Sequence, residues 1–192
     1  MAKVEVKQSK DRRSVERTKA WSSEPIGQPM IGVDPGAKYT GVVIRDGDTV
    51  LYAATLLRDE EADSPLEYAR TVVEALRKVC KEYPDYPMSV EGISDPKGFN
   101  RGQRAAINPK YVMRMAAVAG AVAAAFPESI IVPPGGNGTQ HISQYPDILK
   151  GRRNKDLPGF NPKAKSPRGH EQSAFDVAGK GALEFYNTSE KE

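Results

Sequence analysis

The strongest structural signal in the sequence is an apolar, β-rich run that stops at a Pro-Gly turn, Pro29-Met30-Ile31-Gly32-Val33-Asp34-Pro35-Gly36. A second strand is predicted at residues 40–44. Asp46-Gly47-Asp48 has the composition of a hairpin turn and precedes a third predicted strand at Thr49–Leu57. Three short, consecutive strands joined by tight turns predict an antiparallel meander.

The hydrophobic pattern then changes its period from that of a strand to that of a helix. Ser64-Pro65 begins a segment whose apolar residues recur at helical spacing, and Tyr83-Pro84 ends it. A fourth strand is predicted at 88–93, a second helix at 111–126 and a fifth strand at 129–132. Strands and helices therefore alternate in this half of the chain.

The last part of the chain contains an irregular segment and a final helix. Residues 135–169 have no regular period and are predicted to be irregular, and the helix is predicted at 171–186. The predicted order β-β-β-α-β-α-β-α is that of an α/β domain. We expect a mixed five-stranded sheet flanked by helices, with three antiparallel strands and then parallel strands added through helical crossovers. In this sheet the first and fourth strands would be neighbours.

Length and composition divide the chain into one domain and two terminal segments. At 192 residues the chain can build one core, and it is too short for a two-domain enzyme with an interdomain cleft. Residues 1–28 are polar and charge-dense, which predicts a flexible basic arm. Residues 29–187 would form the domain, and residues 188–192 are expected to be a disordered tail.

Composition excludes several kinds of site. The sequence has one cysteine, Cys80, and two histidines, so a disulfide framework, a thiolate zinc site and a His-rich metal site are all excluded. No apolar run approaches the ~20 residues of a membrane span, and the charged start is unlike a signal peptide. We therefore expect a soluble, cytoplasmic protein without a membrane partner or a small-molecule cofactor. The net charge of +3 says little about partners by itself.

Three carboxylates occupy positions where a charge has little structural use. Asp34 ends the first strand, Glu91 lies near the end of the fourth, and Asp176 lies among small and apolar residues of the last helix. Two of them have a structural alternative: Asp34 could cap its turn, and Glu91 could face solvent. The charge of Asp176, among apolar residues, needs a partner that compensates it. Because the first and fourth strands would be neighbours, Asp34 and Glu91 could lie side by side, with Asp176 above them.

Such a group of carboxylates predicts a metal site. Three carboxylates that converge without a Lys or Arg nearby would repel one another and raise their own pKa values. A divalent cation resolves this conflict, and carboxylate oxygens select hard ions such as Mg²⁺ or Mn²⁺. Two such ions can activate a water on one side of a phosphodiester and stabilise the leaving oxygen on the other. We therefore expect two ions in each active site.

Three motifs contain these carboxylates: Ile31-Gly32-Val33-Asp34-Pro35-Gly36 with Thr40-Gly41, then Val90-Glu91-Gly92, and then His170-Glu171-Gln172-Ser173-Ala174-Phe175-Asp176-Val177-Ala178. They resemble the motifs of the RuvC family of Holliday-junction resolvases, in the ribonuclease H-like superfamily, and are most similar to its phage-type branch. The resemblance implies a ribonuclease H-like fold and a metal-dependent endonuclease, usually a homodimer, that cuts symmetry-related strands of a four-way DNA junction. It also implies that Asp34, Glu91 and Asp176 are catalytic, metal-binding residues. A phage-encoded protein of this kind would act in the host cytoplasm.

The fourth metal ligand is where this sequence departs from the family pattern. The resemblance implies Asp or His three residues before the last Asp, and that position holds Ser173. His170 and Glu171 are the nearby replacements, beside the predicted start of the helix. We favour His170 as a catalytic residue that binds metal or donates a proton to the leaving oxygen, with Glu171 as the alternative ligand. The structural alternative is that His170 only caps the helix or packs.

Basic residues flank the candidate catalytic residues in the sequence and could neutralise DNA phosphates. One group follows Glu91, and a second lies in the basic loop 150–168 before the last helix. Phe99 could stack on an unpaired base. The structural alternative for any one of these basic residues is that it is only part of a solvent-exposed surface. The predicted DNA-binding residues are Lys97, Phe99, Arg101, Arg104, Lys110, Arg114, Lys150, Arg152, Arg153, Lys155, Lys163, Lys165 and Arg168.

Other functions compete with the resolvase hypothesis. The Asp-Pro-Gly motif also resembles the phosphate-binding motif of sugar kinases and actin-like ATPases, but those enzymes need a second homologous domain. A nearer alternative is another ribonuclease H-like nuclease that acts on RNA–DNA hybrids or flaps. A third is a nucleic-acid-binding module that has lost catalysis. The three intact carboxylates count against the last, because a binding module has no reason to keep a repulsive acidic cluster.

Overall fold

Five strands form one mixed sheet in the computed structural model, which describes residues 28–58, 64–93, 109–150 and 169–189. The strands are β1 Met30–Asp34, β2 Tyr39–Asp46, β3 Thr49–Leu57, β4 Met88–Glu91 and β5 Ile130–Val132. Their order across the sheet is β3-β2-β1-β4-β5. β2 pairs antiparallel with β1 and β3, and β4 pairs parallel with β1 and β5. The predicted mixed α/β sheet is confirmed, and so is the pairing of the first and fourth strands.

Four helices accompany the sheet in the described part of the chain. They are α1 Pro65–Glu82, α2 Pro109–Ala125, the single turn α3 Asp147–Lys150 and α4 Gly169–Ser189, with a 3₁₀ turn at Ile142–Gln144. The 3₁₀ turn and α3 lie in the segment that was predicted to be irregular. Helix α4 continues to Ser189, so residues 188 and 189, which we assigned to the disordered tail, are helical. Within these ranges, no helix offers the continuous apolar length that a bilayer crossing requires.

Helix α1 begins with a capping box and covers one face of the sheet. Ser64 Oγ accepts a hydrogen bond from the Glu67 backbone N–H at 3.2 Å, and Glu67 Oε2 accepts one from the Ser64 N–H at 2.8 Å. Helix α2 packs beside α1 on the same face. The core between these helices and the sheet includes Ile31, Val33, Val42, Ile44, Tyr68, Val72, Leu76, Val90, Val118 and Val122.

Helix α4 covers the opposite face of the sheet. Successive side chains of a strand point to opposite faces, so Ile31 and Val33 contribute to the core under α1. Met30, Gly32 and Asp34 face α4 instead, where Met30 packs with apolar residues of that helix. The carboxylate at the end of β1 therefore lies on the face that α4 covers.

Two strand glycines allow α4 to approach the backbone of the sheet. A Cβ on Gly32 would collide with the carbonyl oxygen of Ala174, and a Cβ on Gly41 would collide with the carbonyl oxygen of His170. Only a residue without a side chain permits this approach. The contact sets the position of α4 over β1 and β2, and with it the position of every side chain that the start of α4 carries.

Replacement of Gly32 tests this contact. We expect Gly32→Ala to lower the free energy of unfolding by at least about 2 kcal/mol, because the added methyl group must push the backbones of β1 and α4 apart. Gly120→Ala in α2 is the matched control, since a Cβ there meets no atom within 4 Å. That substitution should raise stability by about 0.5–1 kcal/mol through helix propensity. Urea unfolding measures both, and equal stabilities would contradict the assigned contact.

Candidate active site

Asp34 and Glu91 lie next to each other at the carboxyl edge of the sheet. β1 and β4 run parallel, with Val33 beside Val90, so the residues that follow are neighbours as well. The Asp34 side chain lies close enough to that of Glu91 to raise its pKa. The strand order thus brings these two side chains together, as expected.

Burial and the neighbouring Asp34 raise the pKa of Glu91 to about 7. Burial is the largest cause, and the interaction with the nearby, negatively charged Asp34 adds to it. Two donors act in the opposite direction: Asn137 Nδ2 donates to Glu91 Oε1 at 2.6 Å, and the Gly135 N–H donates to the same oxygen at 3.4 Å. Glu91 therefore keeps its proton until close to neutral pH, at a place where a hard cation could replace it.

Asp176 is buried on α4 and accepts hydrogen bonds from three residues. The Gly138 N–H and the Tyr145 hydroxyl donate to Oδ2 at 2.8 and 2.9 Å, and Gln140 Nε2 donates to Oδ1 at 2.8 Å. Burial raises the pKa of Asp176, although the hydrogen bonds from Gly138 and Tyr145 oppose the shift. Burial and the charge of Asp176 also raise the pKa of Tyr145. The third predicted carboxylate is thus enclosed by polar donors.

Two cations lie near Asp176, whereas we expected no Lys or Arg beside the carboxylates. The charges of Lys180 and Arg45 both favour the ionised form of Asp176. Arg45 is held in place by Phe175: its guanidinium lies 3.8 Å from the ring centroid, and its Nη1 donates to the Phe175 carbonyl oxygen at 3.1 Å. Burial lowers the pKa of Arg45 to about 10. Lys180 follows Asp176 by four residues on one helix, a spacing that could have revealed it in the sequence.

A glycine-rich loop, residues 135–140, connects the two carboxylate sites. Its backbone and side-chain amides bind Glu91 on one side and Asp176 on the other. Three of its glycines have positive φ angles of 109°, 74° and 69°, a region that favours glycine. These are Gly135, Gly136 and Gly138. We expected only irregular structure here; the available signal was a Gly-Gly-Asn-Gly run shortly after a predicted strand.

The three predicted carboxylates do not form one cluster. No three His, Cys, Asp or Glu side chains among residues 28–58, 64–93, 109–150 and 169–189 are arranged to hold a metal ion. Asp34 and Glu91 contact each other, while Asp176 is bound by the glycine-rich loop and by Tyr145. The expected convergence is therefore present only in part.

His170, and not Glu171, lies beside the carboxylate pair. Nδ1 of His170 is 2.8 Å from Oδ2 of Asp34, and its ring packs against Tyr39 with centroids 5.5 Å apart. When Asp34 is ionised, Nδ1 must be the donor of this hydrogen bond. Glu171 contacts β3 instead, where its Oε1 accepts a hydrogen bond from Thr55 Oγ1 at 3.2 Å. The geometry favours His170 over Glu171 as the fourth member of the site.

Comparison with known proteins bears on the fold. No family model matches the sequence, and no curated protein matches it. The structure of T. thermophilus RuvC in complex with Holliday junction substrate aligns with 84% of this chain and 96% of its own, at a TM-score of 0.51 and 15% sequence identity. This chain has a RuvC-like fold. A second Thermus thermophilus RuvC structure aligns over the same shares, at a TM-score of 0.48 and 16% identity. The RuvC-like fold confirms the predicted ribonuclease H-like class.

In this RuvC-like fold, Ser173 is buried beneath the glycine-rich loop. A Cβ on Gly138 would lie 3.2 Å from the Cβ of Ser173 and 3.1 Å from the carbonyl oxygen of Gly169. A side chain at position 138 would therefore crowd α4, so the close approach of the loop to Ser173 depends on Gly138.

Three of the predicted DNA-binding residues lie in the described part of the chain. Lys110 and Arg114 lie near the start of α2, where Lys110 is exposed and Arg114 partly buried. Lys150 ends α3 and forms an ion pair with Asp147 at 2.7 Å. The predicted arm lies, except for residue 28, outside the described residues. So do the other predicted DNA-binding residues, Lys97, Phe99, Arg101, Arg104, Arg152, Arg153, Lys155, Lys163, Lys165 and Arg168.

The raised pKa of Glu91 predicts that the stability of the protein depends on pH when no metal is added. The ordinary pKa of Glu91 is 4.5 and its folded value is about 7, so between these values the folded state binds more protons than the unfolded state. The contribution of Glu91 to the free energy of unfolding should therefore fall as the pH rises through this range. Glu91→Gln should remove that contribution. Urea unfolding in EDTA across this range measures it, and identical pH profiles for the two proteins would exclude Glu91 as the titrating group.

Proposed function

We propose that the protein is a metal-dependent nuclease that hydrolyses phosphodiester bonds in branched DNA. One observation carries the proposal: the carboxyl groups of Asp34 and Glu91 lie side by side at the carboxyl ends of two adjacent strands in a RuvC-like fold. Two carboxyl groups in contact repel each other once both are ionised. A bound cation would offset this repulsion, and phosphodiester hydrolysis is the chemistry that such a metal site supports.

The residues present fit a hard divalent cation. Asp34 and Glu91 would hold it through carboxylate oxygens, the donors that Mg²⁺ and Mn²⁺ prefer. Asp176 and His170 are the candidates to complete the site, and we propose two ions in each site. When bound, such ions would activate the attacking water and stabilise the leaving oxygen.

His170 is proposed to transfer a proton during the reaction. Its hydrogen bond to Asp34 through Nδ1 fixes the orientation of the ring and leaves Nε2 as the nitrogen that can give or take a proton. The His170 side chain is 32% exposed, so a substrate can reach it. A proton held at Nε2 could pass to the leaving oxygen as the phosphodiester breaks.

A four-way junction is the substrate that we propose, and a homodimer is the form that would cut it. The matched T. thermophilus RuvC was solved with a Holliday junction substrate, which supports this choice. Such a junction has symmetry-related strands, so two copies would present one site to each. On α2, Tyr111 and Met113 are 50% and 73% exposed, and a second copy could cover them. Lys110 and Arg114 add positive charge near the start of the same helix.

Cleavage of a panel of labelled substrates tests the proposal. The panel contains a four-way junction, a flap, a linear duplex and an RNA–DNA hybrid, each with Mg²⁺, Mn²⁺ or EDTA. We expect paired, symmetric nicks in the junction with either metal and none in EDTA. Equal cutting of the hybrid would instead indicate another ribonuclease H-like nuclease. Binding without nicking in either metal would indicate a nucleic-acid-binding module without catalysis.

Asp34→Asn tests the role of the carboxylate pair. It removes one charge with little change of shape, so we expect cleavage to be abolished while junction binding is largely retained. Asp85→Asn is the matched control, because it removes the same charge from an exposed turn between α1 and β4. The control should cleave like the unmodified protein. Loss of both binding and cleavage in Asp34→Asn would show that Asp34 is structural.

A further inference from the structure

Two amide side chains of the glycine-rich loop contact the carboxylates without a part in the proposed reaction. Asn137 Nδ2 donates to Glu91 Oε1 at 2.6 Å, and Gln140 Nε2 donates to Asp176 Oδ1 at 2.8 Å. Neither amide is charged or nucleophilic, so neither can act as a base or form a covalent intermediate. Both amides contact carboxylates that we propose to bind a cation. Any effect of the amides on the reaction must therefore be exerted through those carboxylates.

The hydrogen bonds to Glu91 select one of its two oxygens. An ionised carboxylate has about four acceptor positions, two on each oxygen. Asn137 and Gly135 both donate to Oε1, at 2.6 and 3.4 Å, so the two positions on that oxygen are taken. Both loop donors leave Oε2 open to another partner. A cation that approaches Glu91 therefore meets Oε2.

The hydrogen bonds to Asp176 make the same kind of selection. Gly138 and Tyr145 both donate to Oδ2, at 2.8 and 2.9 Å, and fill its two acceptor positions. Gln140 takes one position on Oδ1. One acceptor position on Oδ1 therefore remains for a cation, and Gln140 fixes the direction in which it points.

Lys180 determines which end of the Asn137 amide faces Glu91. Lys180 Nζ donates to the Gly135 carbonyl oxygen at 3.1 Å and also to Oδ1 of Asn137. An ammonium group can only donate, so the amide oxygen must face Lys180 and the amide NH₂ must face Glu91. A reversed amide would place two oxygens, and hence two negative partial charges, against each other. Glu91, Asn137 and Lys180 therefore form one oriented series of hydrogen bonds.

We infer that Asn137 and Gln140 are positioning residues that hold Glu91 and Asp176 so that each presents one oxygen to a divalent cation. The inference rests on the proposed function and adds to it how the metal-binding carboxylates are oriented. Removal of a hydrogen-bonding partner of a metal ligand typically lowers metal affinity by about 10–100-fold. Loss of either amide should therefore weaken metal binding even when no DNA is present.

Mn²⁺ binding to the full-length protein without DNA tests the inference. Titration calorimetry compares the unmodified protein with Asn137→Ala, Gln140→Met and the control Thr139→Ala. Thr139 belongs to the same loop, and its hydroxyl donates to the Gly136 carbonyl oxygen at 2.8 Å. We expect the dissociation constant for Mn²⁺ to rise about 10-fold in Asn137→Ala and in Gln140→Met and to stay unchanged in Thr139→Ala.

The outcomes separate the inference from the proposed function. If the unmodified protein binds Mn²⁺ and both amide variants bind it equally well, the inference is overturned and the proposed function stands. An equal loss in Thr139→Ala would also overturn it, because loop integrity and not the amide donors would then control affinity. If the unmodified protein binds no Mn²⁺, both fail. Circular dichroism checks folding, and if Asn137→Ala does not fold, the result for Gln140→Met decides.

Discussion

Helix α4 can reach the carboxyl edge of the sheet only because Gly32 and Gly41 present no side chains to it. The carbonyl oxygens of Ala174 and His170 occupy the space that a Cβ on these glycines would need. Larger residues in the strands would lift the helix and carry His170 away from Asp34, to which it is now hydrogen-bonded at 2.8 Å. The close packing of the α4 backbone on β1 and β2 therefore places His170, on the helix, beside Asp34, at the end of the strand.

The negative charges of the three acidic residues of the site are stabilised or neutralised in three different ways. Burial and the neighbouring Asp34 raise the pKa of Glu91 and so favour its protonated form, and Asp34 is hydrogen-bonded to His170. Asp176 is surrounded by donors, and the charges of Lys180 and Arg45 favour its ionised form. Burial of unpaired charges would otherwise be costly. A cation held by Asp34 and Glu91 would offset their negative charges in place of the proton on Glu91.

The parts of this structure that follow a periodic pattern were predictable, and the parts that depend on tertiary contacts were not. The strand pattern and the helical crossovers were enough to place Asp34 beside Glu91. Residues 135–140 have no period, and their conformation depends on positive φ angles and on partners distant in the sequence, so their contacts with the carboxylates could not be derived. Arg45 was missed for a similar reason, because a charge at the end of a strand is ordinarily exposed. The sequence already favoured His170 over Glu171, but the contact that supports this preference, between His170 and Asp34, depends on the position of α4 and could not be derived.

Diffraction from crystals grown with Mn²⁺ tests most directly whether Asp34 and Glu91 form a metal site. An anomalous difference map identifies Mn²⁺ independently of any assay of cleavage. We predict a Mn²⁺ peak in contact with carboxylate oxygens of both Asp34 and Glu91. A map without a peak at these residues at saturating Mn²⁺ would contradict the proposed metal site.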